Sequence, residues 1–231
     1  MSEIPVLDHG CVRLIEMWGS DERIVEAARM STAKGFEGWG TADAPGDEKL
    51  LRYLWEHKHA TPFEMGGLII EVQAPIFVFR EWHRHRTQSY NELSARYTAL
   101  PDLFYVPSPE RLKAAKQSTA NKQGSSDGFG DEDAAKIAEC LRTCYANARY
   151  NYETLLQAGV AREVARLVIP VAQYSRMRAS ANLRNWLAFL TLRMNHAAQW
   201  EIRQYANVVG TLIAVAFPRT WELFAEAKAT P

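Results

Sequence analysis

Apolar positions along the chain switch between a spacing of two and a spacing near 3.6, and the switches mark out strands and helices in a mixed order. Cys11 to Trp18 (CVRLIEMW) alternates loosely and predicts a first strand. Asp21 is a helix-capping type, and Ile24, Val25 and Ala28 share one side of a helix expected through about Thr32. Gly35 to Gly46 is glycine-rich and polar, a loop. Asp47 to His57 carries the apolar stripe Leu50, Leu51, Leu54, Trp55 and reads as a helix, which Pro62 ends. Gly67 to Gln73 (GLIIEVQ) predicts a strand. Pro75 can open a helix running through Phe77, Phe79 and Trp82 into a cluster of arginines. Ser94 to Thr98 predicts a return to extended chain.

Residues 117–133 are polar and rich in glycine and serine, and predict a mobile surface insertion. From Asp133 onward the pattern is helical almost to the end, with breaks at Gly159, Pro170 and Pro218. Val160, Val164, Leu167 and Val171 are expected to form a buried stripe in that half. Cys140 and Cys144, four apart on the helix, are expected to be packed inside. The pattern amounts to an α+β fold in one domain over 1–231, with a sheet mainly from the first half and helices from both.

Composition narrows the function. With 231 residues, the chain is long enough to bury a substantial core. Hydrophobic residues are 47% and charged residues 23%, as in a soluble globular protein. Lys+Arg and Asp+Glu are both 27, and this zero net charge argues against a general nucleic-acid binder. No apolar run has the ~18–20 residues that span a bilayer. Met1 to Val6 lacks a secretory pattern, and three cysteines without a CxxC suggest reduced thiols. A cytoplasmic location without membrane attachment is the expectation.

The densest chemistry lies in Arg84 to Tyr97, RHRTQSYNELSARY, where almost every side chain can donate or accept a hydrogen bond. Arginine presents a planar fork suited to phosphate and carboxylate oxygens. Four readings arise from residue types alone. They are an anion site, a nucleic-acid groove, a zinc site through His83 and His85, and a solvated basic face. Zinc is disfavoured because Arg84 separates the two histidines and its fixed positive charge repels a cation, and no HExxH or suitable carboxylate cluster exists. No metal is expected.

The same run resembles the RHRxxSxNexSxRY signature of the flavin-dependent thymidylate synthases, with Arg84, His85, Arg86, Ser89, Asn91, Glu92, Ser94, Arg96 and Tyr97 filling each specified position. HATPFE, APIFVFREW, AREVARLVIP, NLRNWLAFLTLR and AQWEIRQYA extend the likeness over most of the chain. The resemblance implies a central, mainly antiparallel sheet packed with helices and a helical C-terminal half. It implies a homotetramer whose sites combine residues from different chains. The implied reaction converts dUMP to dTMP, with 5,10-methylenetetrahydrofolate as carbon donor and NADPH reducing a bound FAD. No cysteine lies in the matched motifs, which fits a route without a cysteine nucleophile.

The resemblance also implies roles. Arg84, His85 and Arg86 contact the flavin, and Arg84 also the nucleotide. Ser31, His59, Thr61, Glu64, Glu92, Asn182 and Arg184 are further flavin positions. Glu92, Leu93, Ser94, Ala95 and Arg96 hold dUMP, with Arg96 on its phosphate. Arg166 reaches the phosphate from a neighbouring subunit. Arg193 contacts the uracil and is the expected catalytic residue, since charge developing on the ring needs a cation. Asn182 and Arg193 are about three helical turns apart, roughly 16 Å. Glu81 falls among the nucleotide positions, where some relatives have glutamine. A carboxylate there needs an arginine partner or a donor from the sugar or base. Ala188 replaces an amide that touches the flavin in some relatives, and His196 is displaced from their histidine.

Overall fold

The computed structural model describes residues 3–41 and 43–229. A five-stranded sheet forms the centre, in the order β1-β2-β3-β7-β4, with every neighbouring pair antiparallel. Its strands are β1 (Ile4–Val6), β2 (Gly10–Trp18), β3 (Gly67–Pro75), β4 (Ser89–Glu92) and β7 (Tyr174–Asn182). The helices are α1 (Asp21–Arg29), α2 (Gly46–Glu56), α3 (Ile76–Trp82), α4 (Pro109–Lys113), α5 (Asp131–Gln157), α6 (Arg162–Ala165), α7 (Leu183–Arg193), α8 (Trp200–Ala216) and α9 (Pro218–Ala229). Short 3-10 turns cover Met30–Thr32, Thr61–Glu64 and Arg166–Val168. Between α4 and α5, β5 (Lys116–Gln117) and β6 (Ser125–Ser126) form a small hairpin.

Strand alternation decides which face of the sheet is covered. Leu68, Ile70, Val72 and Ala74 of β3 are fully buried on one face, as are Met177 and Ala179 of β7. On the other face Glu71 accepts from Arg13 at 2.6 Å and Arg178 at 2.8 Å, a row of charges across three strands. The covered face meets α3, α7 and α8. In α8, Ile202, Tyr205, Ala206, Val209 and Ile213 recur at helical spacing and are all fully buried. Each such aliphatic side chain contributes roughly 1.5–3 kcal/mol by leaving water. At Gly210 an added Cβ would stand 2.9 Å from the Trp221 ring, so the absence of a side chain there lets Trp221 of α9 lie close against α8.

Several expectations are corrected. The C-terminal half is not helical throughout, because YSRMRASAN forms β7, the strand between β3 and β4. The α3 helix stops at Trp82 and does not enter the arginine cluster. Ser94 to Thr98 is a turn, with Tyr97 and Thr98 N–H both donating to the Ser94 carbonyl. Val164, Leu167 and Val171 are exposed, Leu167 by 78%, because the segment is one short helical turn and a 3-10 turn on the surface. Cys140 and Cys144 are exposed, on a face of α5 turned from the core. No helix among the described residues is long and apolar enough to cross a membrane.

Candidate active site

Two helices bring the central residues together. The α3 helix leaves the end of β3, and α7 leaves the end of β7. These strands run antiparallel in register, Gly67 opposite Asn182 and Pro75 opposite Tyr174. The helices therefore start from opposite ends of the strand pair and run back over its face until their C-terminal turns meet. Trp82 of α3 stacks on Phe189 of α7 with ring centroids 4.6 Å apart, and both are buried. The α7 helix starts at Asn182, whose side chain accepts from the Asn185 N–H at 2.9 Å. It ends on Arg193.

Arg193 is held from three directions. Nη1 donates to the Glu81 carboxylate at 2.6 Å, Nη2 to the Glu81 backbone carbonyl at 2.7 Å, and Nε to His85 Nε2 at 2.9 Å. A C-terminal helical carbonyl lacks an intrahelical partner and carries partial negative charge, so a guanidinium satisfies both needs of α3 there. The Arg193 side chain is 15% exposed and Glu81 41% exposed. The Glu81 carboxylate thus has the arginine partner that its charge requires.

His85 is neutral at ordinary pH. Burial first, then the charge of Arg193, hold its imidazole down to about 4, against the opposite pull of Glu81. Arginine can only donate, so Nε2 accepts and the ring proton lies on Nδ1. The ring rests edge-on against Phe189 at 4.9 Å. The Tyr90 hydroxyl donates to the backbone carbonyls of His85 at 2.6 Å and Trp82 at 3.2 Å. Burial pushes that hydroxyl up to about 12, so it remains a donor. Trp82 Nε1 donates to Gln88 at 3.1 Å, and Asn185 Nδ2 donates to the Thr87 carbonyl at 3.0 Å. Gln88, Tyr90 and Asn185 therefore shape the arginine loop, a role the sequence reading missed. Two of them occupy unspecified positions within the fourteen-residue run, and that placement was the available signal.

Arg84 and Arg86 flank this ring, both exposed, and neither side chain has a hydrogen bond or ion pair among the described residues. A second group of expected residues gathers beside the end of α2. His59, Arg184 and Ala188 line a cavity of about 350 Å³ with an apolar floor that includes Trp55, Phe63, Leu187 and Phe224. Arg184 donates to Glu64 at 2.5 Å, joining α7 to the 3-10 turn that also holds Thr61. Exposed Ser31 follows α1, its hydroxyl donating to the Ala28 carbonyl at 3.0 Å. His196 lends only its backbone carbonyl, to Arg203 at 3.1 Å.

The third group stands apart. Glu92 closes β4, and the Leu93 N–H donates to the Arg176 carbonyl of β7 at 2.8 Å. Ser94 Oγ accepts from the Arg96 N–H at 3.3 Å, and Ala95 is buried beneath the turn. The Arg96 guanidinium meets Glu163 of α6 at 3.1 Å. This brings Arg96 to the segment of Arg166, which is exposed and makes no side-chain hydrogen bond or ion pair among the described residues. No hydrogen bond or ion pair among the described residues joins Arg96 or Arg166 to Arg193.

The chain is similar to known proteins over most of its length. The family model Thy1, described as thymidylate synthase complementing protein, matches residues 13–219. A flavin-dependent thymidylate synthase of Ruegeria pomeroyi is 42% identical over 228 residues, covering 97% of this chain and 73% of that protein. One from Thermus thermophilus is 44% identical over 223 residues, covering 96% of this chain and 78% of its own length. Among solved structures, a UMP/dUMP methylase, PolB of Streptomyces cacaoi, bound with 5-Br dUMP, superposes with a TM-score of 0.85. It is 34% identical and covers 96% of this chain and 97% of its own.

Proposed function

The chain belongs to the Thy1 family of thymidylate synthase complementing proteins, and from that premise we infer that it is a flavin-dependent thymidylate synthase, methylating dUMP to dTMP. The observation that carries the reading is Arg193, a nearly buried cation at the meeting of α3 and α7. Its remaining N–H groups are free for a ligand, and Arg84 and Arg86, unpaired among the described residues, stand on the adjoining loop.

The residues fit FAD. Its pyrophosphate needs cations without competing carboxylates, and Arg84 and Arg86 are such cations. Arg184 and His59 offer further polar contacts beside an apolar floor suited to a flat ring. When bound, the flavin supplies the hydride. In the fuller reading 5,10-methylenetetrahydrofolate supplies the carbon and NADPH the electrons.

The protein's own task is to orient and charge the pyrimidine. Carbon 5 of uracil becomes nucleophilic as negative charge builds on the ring, and Arg193, whose side chain is 15% exposed, meets that charge. Arg96 and Arg166 form a phosphate grip with Glu92, Leu93, Ser94 and Ala95 as its frame. Arg166 acts in a site of a neighbouring subunit in a homotetramer. Exposed Val164, Leu167 and Val171 around it supply apolar surface for such an assembly.

The test is an absorbance spectrum of the pure protein, followed by NADPH bleaching and nucleotide product analysis. Because PolB is described as a UMP/dUMP methylase, the assay takes both nucleotides. A flavin spectrum and dTMP formation from dUMP are expected. A protein that binds no flavin, or leaves dUMP unchanged, would overturn the reading.

A further inference from the structure

Glu81 supplies both an acceptor carboxylate and an acceptor carbonyl to one guanidinium. An arginine has five N–H groups. Three of those on Arg193 are engaged by Glu81 and His85, which leaves two for a ligand. The side-chain contacts around this guanidinium therefore comprise one anion, Glu81, and one neutral ring, His85. Glu81 is the more exposed partner and Arg193 the more buried one, so the carboxylate faces the open side of the pair.

Resting on the functional reading above, we propose that Glu81 is a positioning residue for Arg193. It clamps the guanidinium so that two N–H groups point to the pyrimidine. Its negative charge limits how strongly Arg193 favours an anionic ring. The two parts of the role separate chemically. A glutamine keeps an acceptor oxygen for Nη1 and removes the charge. An alanine removes both the side-chain clamp and the charge, and leaves only the backbone carbonyl.

The experiment uses 5-fluoro-dUMP bound to the FAD-loaded enzyme, with the fluorine NMR shift followed against pH to read ionisation at ring N3. In Glu81→Gln the bound ring is expected to ionise about one pH unit lower than in the unmodified enzyme, a tenfold change, because Arg193 acts with its charge unopposed. Turnover separates the clamp. Glu81→Ala is expected to lose at least tenfold in kcat with KM for dUMP changed less than threefold, and Glu81→Gln to recover most of the loss. An unchanged N3 midpoint in Glu81→Gln overturns the charge role. Equal kcat for Ala and unmodified enzyme overturns the clamp. If both variants hold FAD yet fail to bind 5-fluoro-dUMP, Glu81 is a direct ligand contact and the assignment falls. Failure of the unmodified chain to bind FAD or 5-fluoro-dUMP would strike the functional reading instead.

Discussion

The Nε–H of Arg193 donates to Nε2 of His85 across 2.9 Å, which fixes the histidine as a neutral ring with its proton on Nδ1. This bond holds only while the imidazole is unprotonated. A proton NMR titration of the histidines should show His85 with a midpoint near 4, well below its ordinary 6.5. The stability consequence has a definite sign. Above about pH 6.5 the ring is neutral in folded and unfolded chains alike. Between there and about 4 only the unfolded chain takes up the proton, so this group lowers stability as pH falls through that window. A midpoint near 6.5 would mean that the Arg193–His85 bond does not form in solution.

Arg193→Ala removes the cation at the meeting of the two helices but leaves Arg84, Arg86 and Arg184 in place. It should retain stoichiometric FAD and lose roughly 10²–10³ in kcat, the scale for deleting one preorganised donor to developing charge. Flavin content and dTMP formation measure the two properties separately. Normal turnover would remove Arg193 from the catalytic role.

Arg166→Ala alters an exposed side chain that makes no hydrogen bond or ion pair among the described residues, so the thermal midpoint should move little. A charge-assisted bond to phosphate contributes about 1.5–3 kcal/mol, and dUMP affinity should therefore fall about ten- to hundredfold. Titration calorimetry with dUMP decides this. Unchanged affinity would leave Arg166 a surface charge.

Phe189 is the shelf on which both Trp82 and His85 rest. Phe189→Ala should cost about 3–5 kcal/mol, as for other large-to-small aromatic changes in a core. Phe189→Leu keeps most of the volume, so the fold should survive. It admits water beside the imidazole, and the His85 midpoint should rise towards 6.5. Chemical denaturation and the same histidine titration check the pair.

Much of this was legible in the chain. Leu68, Ile70 and Val72 alternate visibly, and Asp21 and Pro75 mark helix starts that the structure keeps within a residue. Other features were hidden for physical reasons. The β7 strand alternates buried Met177 and Ala179 with exposed Arg176 and Arg178. Arginine, alanine and methionine are good helix formers, and sheet pairing on both sides overrides that propensity. The Val164–Leu167 spacing suggested a buried stripe, but periodicity reports amphipathicity and not what covers the apolar side. The Glu81–Arg193 pair joins residues 112 apart in sequence, and only the packing of α3 against α7 brings them together.

Glu81 and Arg193 inherit their spacing from the register of β3 and β7. One residue inserted into either strand would advance its helix by about 3.3 Å and turn the next side chains to the opposite face. The two C-terminal turns would then miss each other. Length changes should therefore be tolerated in the β5–β6 hairpin and forbidden in these two strands. A deletion scan with dTMP formation as readout would map that boundary as a sharp edge between viable and dead lengths.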